Sequence, residues 1–160
     1  MRKRILLAML SCLLFAGCGN GNTEANTGID RYQAEIESMQ EEAKELAKTA
    51  TEVKSGKIYD SIQNVCYGAR LTRIEPDSLS VYLEDVDNVF SVIENICGNC
   101  NLESEYSFVA FFIRENEATT AMLSLDSYKS PTSFSSSFIL LDSKKGNLET
   151  EYKKSNLYRE

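Results

Sequence analysis

The sequence of 160 residues carries 24 acidic against 17 basic side chains, a net charge of −7, and it contains five Cys but neither His nor Trp. The acidic balance argues against nucleic acid and anionic lipid headgroups as direct ligands. The absence of His removes Ser-His-Asp and Cys-His nucleophile activation together with the usual zinc and copper ligand, so no metal site and no catalytic set is expected.

In chain order, the first signal is a basic head, Arg2, Lys3 and Arg4, followed by an apolar run from Ile5 to Phe15 that only Ser11 and Cys12 interrupt. That is the layout of a secretory signal. The run is about half the roughly 20 residues that a spanning helix needs, which argues against a permanent transmembrane anchor. Directly after it, Phe15-Ala16-Gly17-Cys18 sets two small residues ahead of a cysteine and resembles the lipobox of bacterial membrane lipoproteins. The resemblance covers residues 1–18, with Phe15 standing where that family usually has Leu. It implies cleavage after Gly17 and a diacylglyceryl thioether on Cys18, with the membrane as partner through that lipid. It also implies a place on the extracytoplasmic face of the cell membrane, or at the outer membrane if the organism has two, since the residue after Cys18 is Gly19 and not Asp. A plain signal peptide with an incidental cysteine is the competing reading.

Residues 18–28 continue as a tether rich in Gly and Asn. At roughly 5–6 Å times the square root of its length, such a stretch reaches about 15–20 Å from the membrane. Removing residues 1–17 discards three basic residues and no acidic one, leaving a net charge of −10. The remainder, 29–160, has the length of a single domain with its own core.

Ile29, Tyr32, Ile36, Met39, Ala43, Leu46, Ala50 and Val53 recur at steps of three and four, which predicts an amphipathic helix over 29–54, with Asp30 as its cap. The same stripe would serve a coiled coil, so self-association through this helix is one reading of it. Ser55-Gly56 breaks the run, and Ile58, Ile62, Val65, Cys66 and Ala69 predict a second helix.

From Leu71 the pattern turns to strand: 71–74 and 78–83 flank a turn at Glu75-Pro76-Asp77. Val86, Val89, Phe90, Ile93 and Ile96 return to helical spacing, with Asp85 as a cap. Residues 106–113 are apolar on both faces and predict a central strand. Beyond Arg114-Glu115-Asn116-Glu117 come alternating stretches around Ala121–Leu125 and Phe134–Leu140, then a last strand over Leu148–Tyr152. The expectation is an α+β domain with N-terminal helices packed on one face of a mostly antiparallel sheet that ends in a β-meander.

Two clusters bear chemistry. Glu84, Asp85 and Asp87 gather at a strand-to-helix junction, where carboxylate catalysis competes with the plainer reading of a solvated helix start. Of the thiols left after processing, Cys97-Gly98-Asn99-Cys100 has the spacing of a redox pair but follows a helix instead of opening one, where the dipole raises the thiol pKa. A disulfide is the alternative, joining Cys97 to Cys100 or either of them to Cys66. The sequence therefore reads as a non-catalytic, lipid-anchored binding or envelope-support domain without cofactors, whose ligand is a protein, peptide or small molecule. Thiol-disulfide exchange through Cys97 and Cys100 is the alternative. Candidate binding surfaces are a sheet face displaying Tyr82 and Tyr128, the segment Ser130–Ser137, and an edge strand near the C-terminus.

Overall fold

The computed structural model describes residues 48–126 and 135–158. The chain divides into two compact units, 1–49 and 50–160, and the architecture below is that of the second. The lipobox-like segment, the expected tether and residues 29–47 of the helix predicted over 29–54 lie outside the described residues, as does Tyr128.

Six strands and three α-helices follow one another along the described chain: β1 (Thr51–Val53), α1 (Lys57–Val65), β2 (Arg70–Arg73), β3 (Ser78–Glu84), α2 (Val89–Asn99), β4 (Phe108–Glu115), β5 (Ala118–Asp126), β6 (Ser135–Leu140) and α3 (Gly146–Lys154). The strands form one sheet in sequence order, β1-β2-β3-β4-β5-β6. Only the central pair, β3 with β4, is parallel, from Ser78↔Phe108 to Glu84↔Arg114. A parallel pair cannot be closed by a tight turn, so α2 serves as the crossover between them. The other four pairings are antiparallel.

The domain is thus α+β with a mixed, mostly antiparallel sheet, and the β4-β5-β6 meander falls where the sequence predicts it. The helices, however, are interspersed among the strands and not gathered at the N-terminus. Two boundaries need correction. The stripe assigned to the first helix runs through Val53, yet Thr51–Val53 is a strand paired with Leu71–Arg73; the β-branched Thr51 and Val53 suit a pleated edge, and the ladder to β2 decides the matter. The strand predicted over 148–152 is α3, in which Leu148 and Tyr152, four residues apart, are the buried positions of one helical face.

A single core joins the odd-numbered positions of the central strands, Leu79, Val81, Leu83, Val109, Phe111, Ile113, Leu123 and Leu125, to the buried residues of all three helices, Ile58 and Ile62, Val89, Phe90, Ile93 and Ile96, and Leu148 and Tyr152. Residues of the opposite parity, Tyr82, Ala110, Phe112 and Met122, are buried as well. β4 is accordingly apolar on both faces, as a central strand must be. A bulge leaves Thr120 without a partner in β4, because Ile113 pairs with Ala121 and Arg114 with Thr119. The Thr120 hydroxyl donates to the Ile113 carbonyl at 3.2 Å, and its own carbonyl accepts from the Leu141 and Asp142 amides. The Thr120 carbonyl thereby holds Leu141 and Asp142, the first two residues past β6, where the chain leaves the sheet for α3.

Candidate functional site

The acidic junction after β3 is the first place where chemistry was expected, and its geometry is that of a latch. Both central residues of the β4–β5 hairpin, Asn116 and Glu117, have positive φ, 48° and 66°. This is the backbone of the turn that matches strand twist, but Glu lacks the freedom of the usual Gly there. The two acidic residues compensate: the Glu117 amide donates to Glu84 Oε1 at 2.6 Å and the Asn116 amide to Asp85 Oδ1 at 3.1 Å. Arg114, only 8% exposed, closes the arrangement by pairing with Glu84 and donating to the Glu117 carbonyl. Asp85 does not cap α2; the N-cap is Asn88, in the left-handed conformation and without a side-chain bond to the helix. Glu84 and Asp85 are thereby committed to backbone amides of a turn, and what they do is hold β3 to the hairpin.

The thiols are the second place. Cys66, Cys97 and Cys100 form no disulfide with one another. Cys97 lies in the last turn of α2 and Cys100 is its C-cap, its amide donating to the Ile96 carbonyl at 3.0 Å. Cys100 is 3% exposed and belongs to the core. Burial pushes the Cys100 and Cys66 thiols above the ordinary value of 9.0, away from the thiolate that exchange chemistry requires. Cys66 caps α1 next to the start of β2, which pairs with the end of β3, whereas α2 runs on from that end of β3 toward the start of β4. Among the described residues there is no group of His, Cys, Asp or Glu suited to hold a metal ion.

The surfaces are the third. The expected display of Tyr82 is not found. Its ring is 8% exposed, stacked on Phe112 at 4.9 Å between centroids, with the Arg70 guanidinium over its ring at 4.5 Å. Its even-numbered position in a central strand, opposite Phe112, places it among buried rings. The sequence does not single out Tyr67, which is 95% exposed. The Gln63 side chain staples the turn that carries it, donating to the Ala69 carbonyl at 2.6 Å and accepting from the Gly68 amide at 2.9 Å. Gly68 supplies the positive φ, 86°, that the turn needs. The Tyr67-Gly68 pair just past an amphipathic run is the signal that could have located this turn. Tyr67 flanks a cleft of about 640 Å³ whose lining includes Glu52, Lys54, Tyr59, Gln63 and Arg70. A second, more polar groove of about 370 Å³ lies between the start of α2 and the end of α3, where the Asn156 amide donates to Glu94 at 2.8 Å.

The C-terminal edge strand of the sequence reading is β6, and it takes in the last three residues of the Ser130–Ser137 segment. Its helix-facing side is anchored: Phe138 stacks on Tyr152 at 4.9 Å, and the Ser136 hydroxyl shares a 2.9 Å hydrogen bond with the Tyr152 hydroxyl. Comparison of the chain with protein-family models, with curated proteins and with solved structures finds no match.

Proposed function

We propose that this chain is a lipid-anchored, extracytoplasmic lipoprotein whose folded domain acts by binding and not by catalysis. The reading is carried by Phe15-Ala16-Gly17-Cys18 placed directly behind a basic head and an apolar run too short to span a bilayer. Two or more acyl chains at Cys18, each methylene worth about 0.8 kcal/mol of burial, hold a protein on a membrane durably where one chain does not. No described helix is long and apolar enough to cross a membrane.

Two observations support binding over chemistry. Of the three clustered carboxylates, Glu84 and Asp85 are bonded to the β4–β5 turn, and Cys97 and Cys100 lie at the C-terminal end of α2, with Cys100 in the core. Tyr67, 95% exposed on a turn that the Gln63 side chain holds and beside a cleft, offers an accessible aromatic face to a ligand. The ligand in this reading is a protein, peptide or small molecule outside the cytoplasm.

The test is mass spectrometry of the N-terminal peptide of the mature protein, with fractionation of a Cys18→Ala variant. Cleavage after Gly17, a diacylglyceryl adduct on Cys18 and loss of the variant from the membrane fraction are expected. An unmodified Cys18 thiol, or a variant that stays membrane-bound, overturns the reading.

A further inference from the structure

β6 is the last strand of the sheet, and among the described residues no strand pairs with its outer side. The direction of its backbone groups follows from one bond. The Leu141 amide donates to the Thr120 carbonyl at 2.9 Å, and the ladder continues Met122↔Ile139, Ser124↔Ser137 and Asp126↔Ser135. In an antiparallel pair, alternate residues bond inward and the ones between them bond outward. Ser136, Phe138 and Leu140 therefore turn their N–H and C=O groups away from the sheet.

Sheet edges are ordinarily blunted by shortness, by Lys, by Pro or by other charges. The opposite edge follows that rule, since β1 has three residues, with Glu52 in the strand and Lys54 just past it. β6 does not. Its six residues, Ser-Ser-Ser-Phe-Ile-Leu, contain no charge and no Pro.

We propose that β6 is a self-pairing edge, through which a second copy of this chain adds its own β6 antiparallel about a two-fold axis at Phe138. The strand is self-complementary in that register. Ser136 of one copy faces Leu140 of the other, Phe138 faces Phe138, and each facing pair exchanges both of its outward N–H and C=O groups. A chain of net charge −7 meets its copy here with no like charges opposed within the strands. Such isologous contacts are the commonest way for soluble proteins to form dimers. The pairing does not require a lipid on Cys18, although confinement to one membrane would raise the effective concentration of the partners.

The test is sedimentation velocity of the full-length chain in detergent, over a range of concentrations, for the wild type, Ser136→Ala and Ser136→Pro. Both substitutions remove the hydroxyl bond to Tyr152, and only Pro removes an outward N–H, at a position where an edge strand tolerates it. A concentration-dependent dimer is expected for the wild type and Ser136→Ala, with a dissociation constant at least about tenfold weaker for Ser136→Pro, a change of about 1.4 kcal/mol. In parallel, hydrogen exchange on the wild type should show the Phe138 and Leu140 amides slowing as concentration rises, which keeps the test valid if the Pro variant fails to fold. A monomer at every concentration, a dimer equally tight in Ser136→Pro, or dimer-dependent protection confined to residues 29–47 overturns the proposal. An unlipidated Cys18 would leave it standing.

Discussion

β4 and β6 belong to the same sheet, two strands apart, and they use their side chains and backbone in opposite ways. β4 is flanked on both edges and buried on both faces: Val109, Phe111 and Ile113 enter the helix-side core, while Ala110 and Phe112 are buried opposite them. Everything that β4 offers is consumed by the fold. β6 is paired along one edge only and keeps three residues' worth of backbone donors and acceptors in reserve. The contrast points to the rim, the β6 edge and the Tyr67 turn, as the place where the proposed binding would occur, and not to the centre.

The largest loss on substitution is expected at the centre. Phe111 is fully buried in the helix-side core, and Phe111→Ala should lower the unfolding free energy by about 3–5 kcal/mol, measured by urea denaturation. A loss below about 1 kcal/mol would mean that β4 is not the packed centre described. The hairpin latch lies between centre and rim. Arg114→Ala removes both the pairing with Glu84 and the bond to the Glu117 carbonyl, and should cost about 1.5–3 kcal/mol. Amide exchange in the same variant should quicken first at Asn116 and Glu117, and a uniform change across the sheet would count against a local latch.

A smaller effect sharpens the reading of the thiols. Burial holds the Cys100 pKa above 9.0 in the folded protein, so the unfolded chain ionises first as the pH rises. The neutral thiol's contribution is complete below about pH 9 and is lost as the pH climbs through the folded value. Stability measured from pH 7 to 11 should therefore fall at the alkaline end, more gently in Cys100→Ala, with Cys66 supplying part of the remaining slope through its own upward shift. An unchanged slope in Cys100→Ala would show that the thiol ionises freely in the folded state, which would revive the exchange chemistry disfavoured above.

Local pattern carried much of the architecture. The two-sided apolarity within 106–113 marks a central strand, the spacing from Ile58 to Ala69 a helix, and the alternation of Leu79, Val81 and Leu83 a strand, because each element must bury its own periodic face whatever its neighbours are. The helix closes at Val65, β4 begins at Phe108, and β3 buries Tyr82 on its second face as well. The same pattern misled where two periods coincide. Leu148 and Tyr152 are four apart, which satisfies both an alternating strand and a helical face; in the fold both join the core from one helix, Tyr152 against Phe90 and Phe138. Val53 ends a helical stripe on paper and pairs with Leu71 in the sheet.

For the candidate sites, the sequence supplies the chemical inventory: no His, one cysteine in a lipobox-like setting, a few clustered carboxylates and thiols. Tertiary structure alone decided what those groups are committed to. Glu84 finds the Glu117 amide 33 residues away, Asn156 finds Glu94 62 residues away, and β6 becomes an edge only because β1 joins the far side of the sheet. Composition and spacing are properties of neighbours along the chain, whereas partnership and exposure are set by which distant segments meet, and that is fixed only when the whole core is packed.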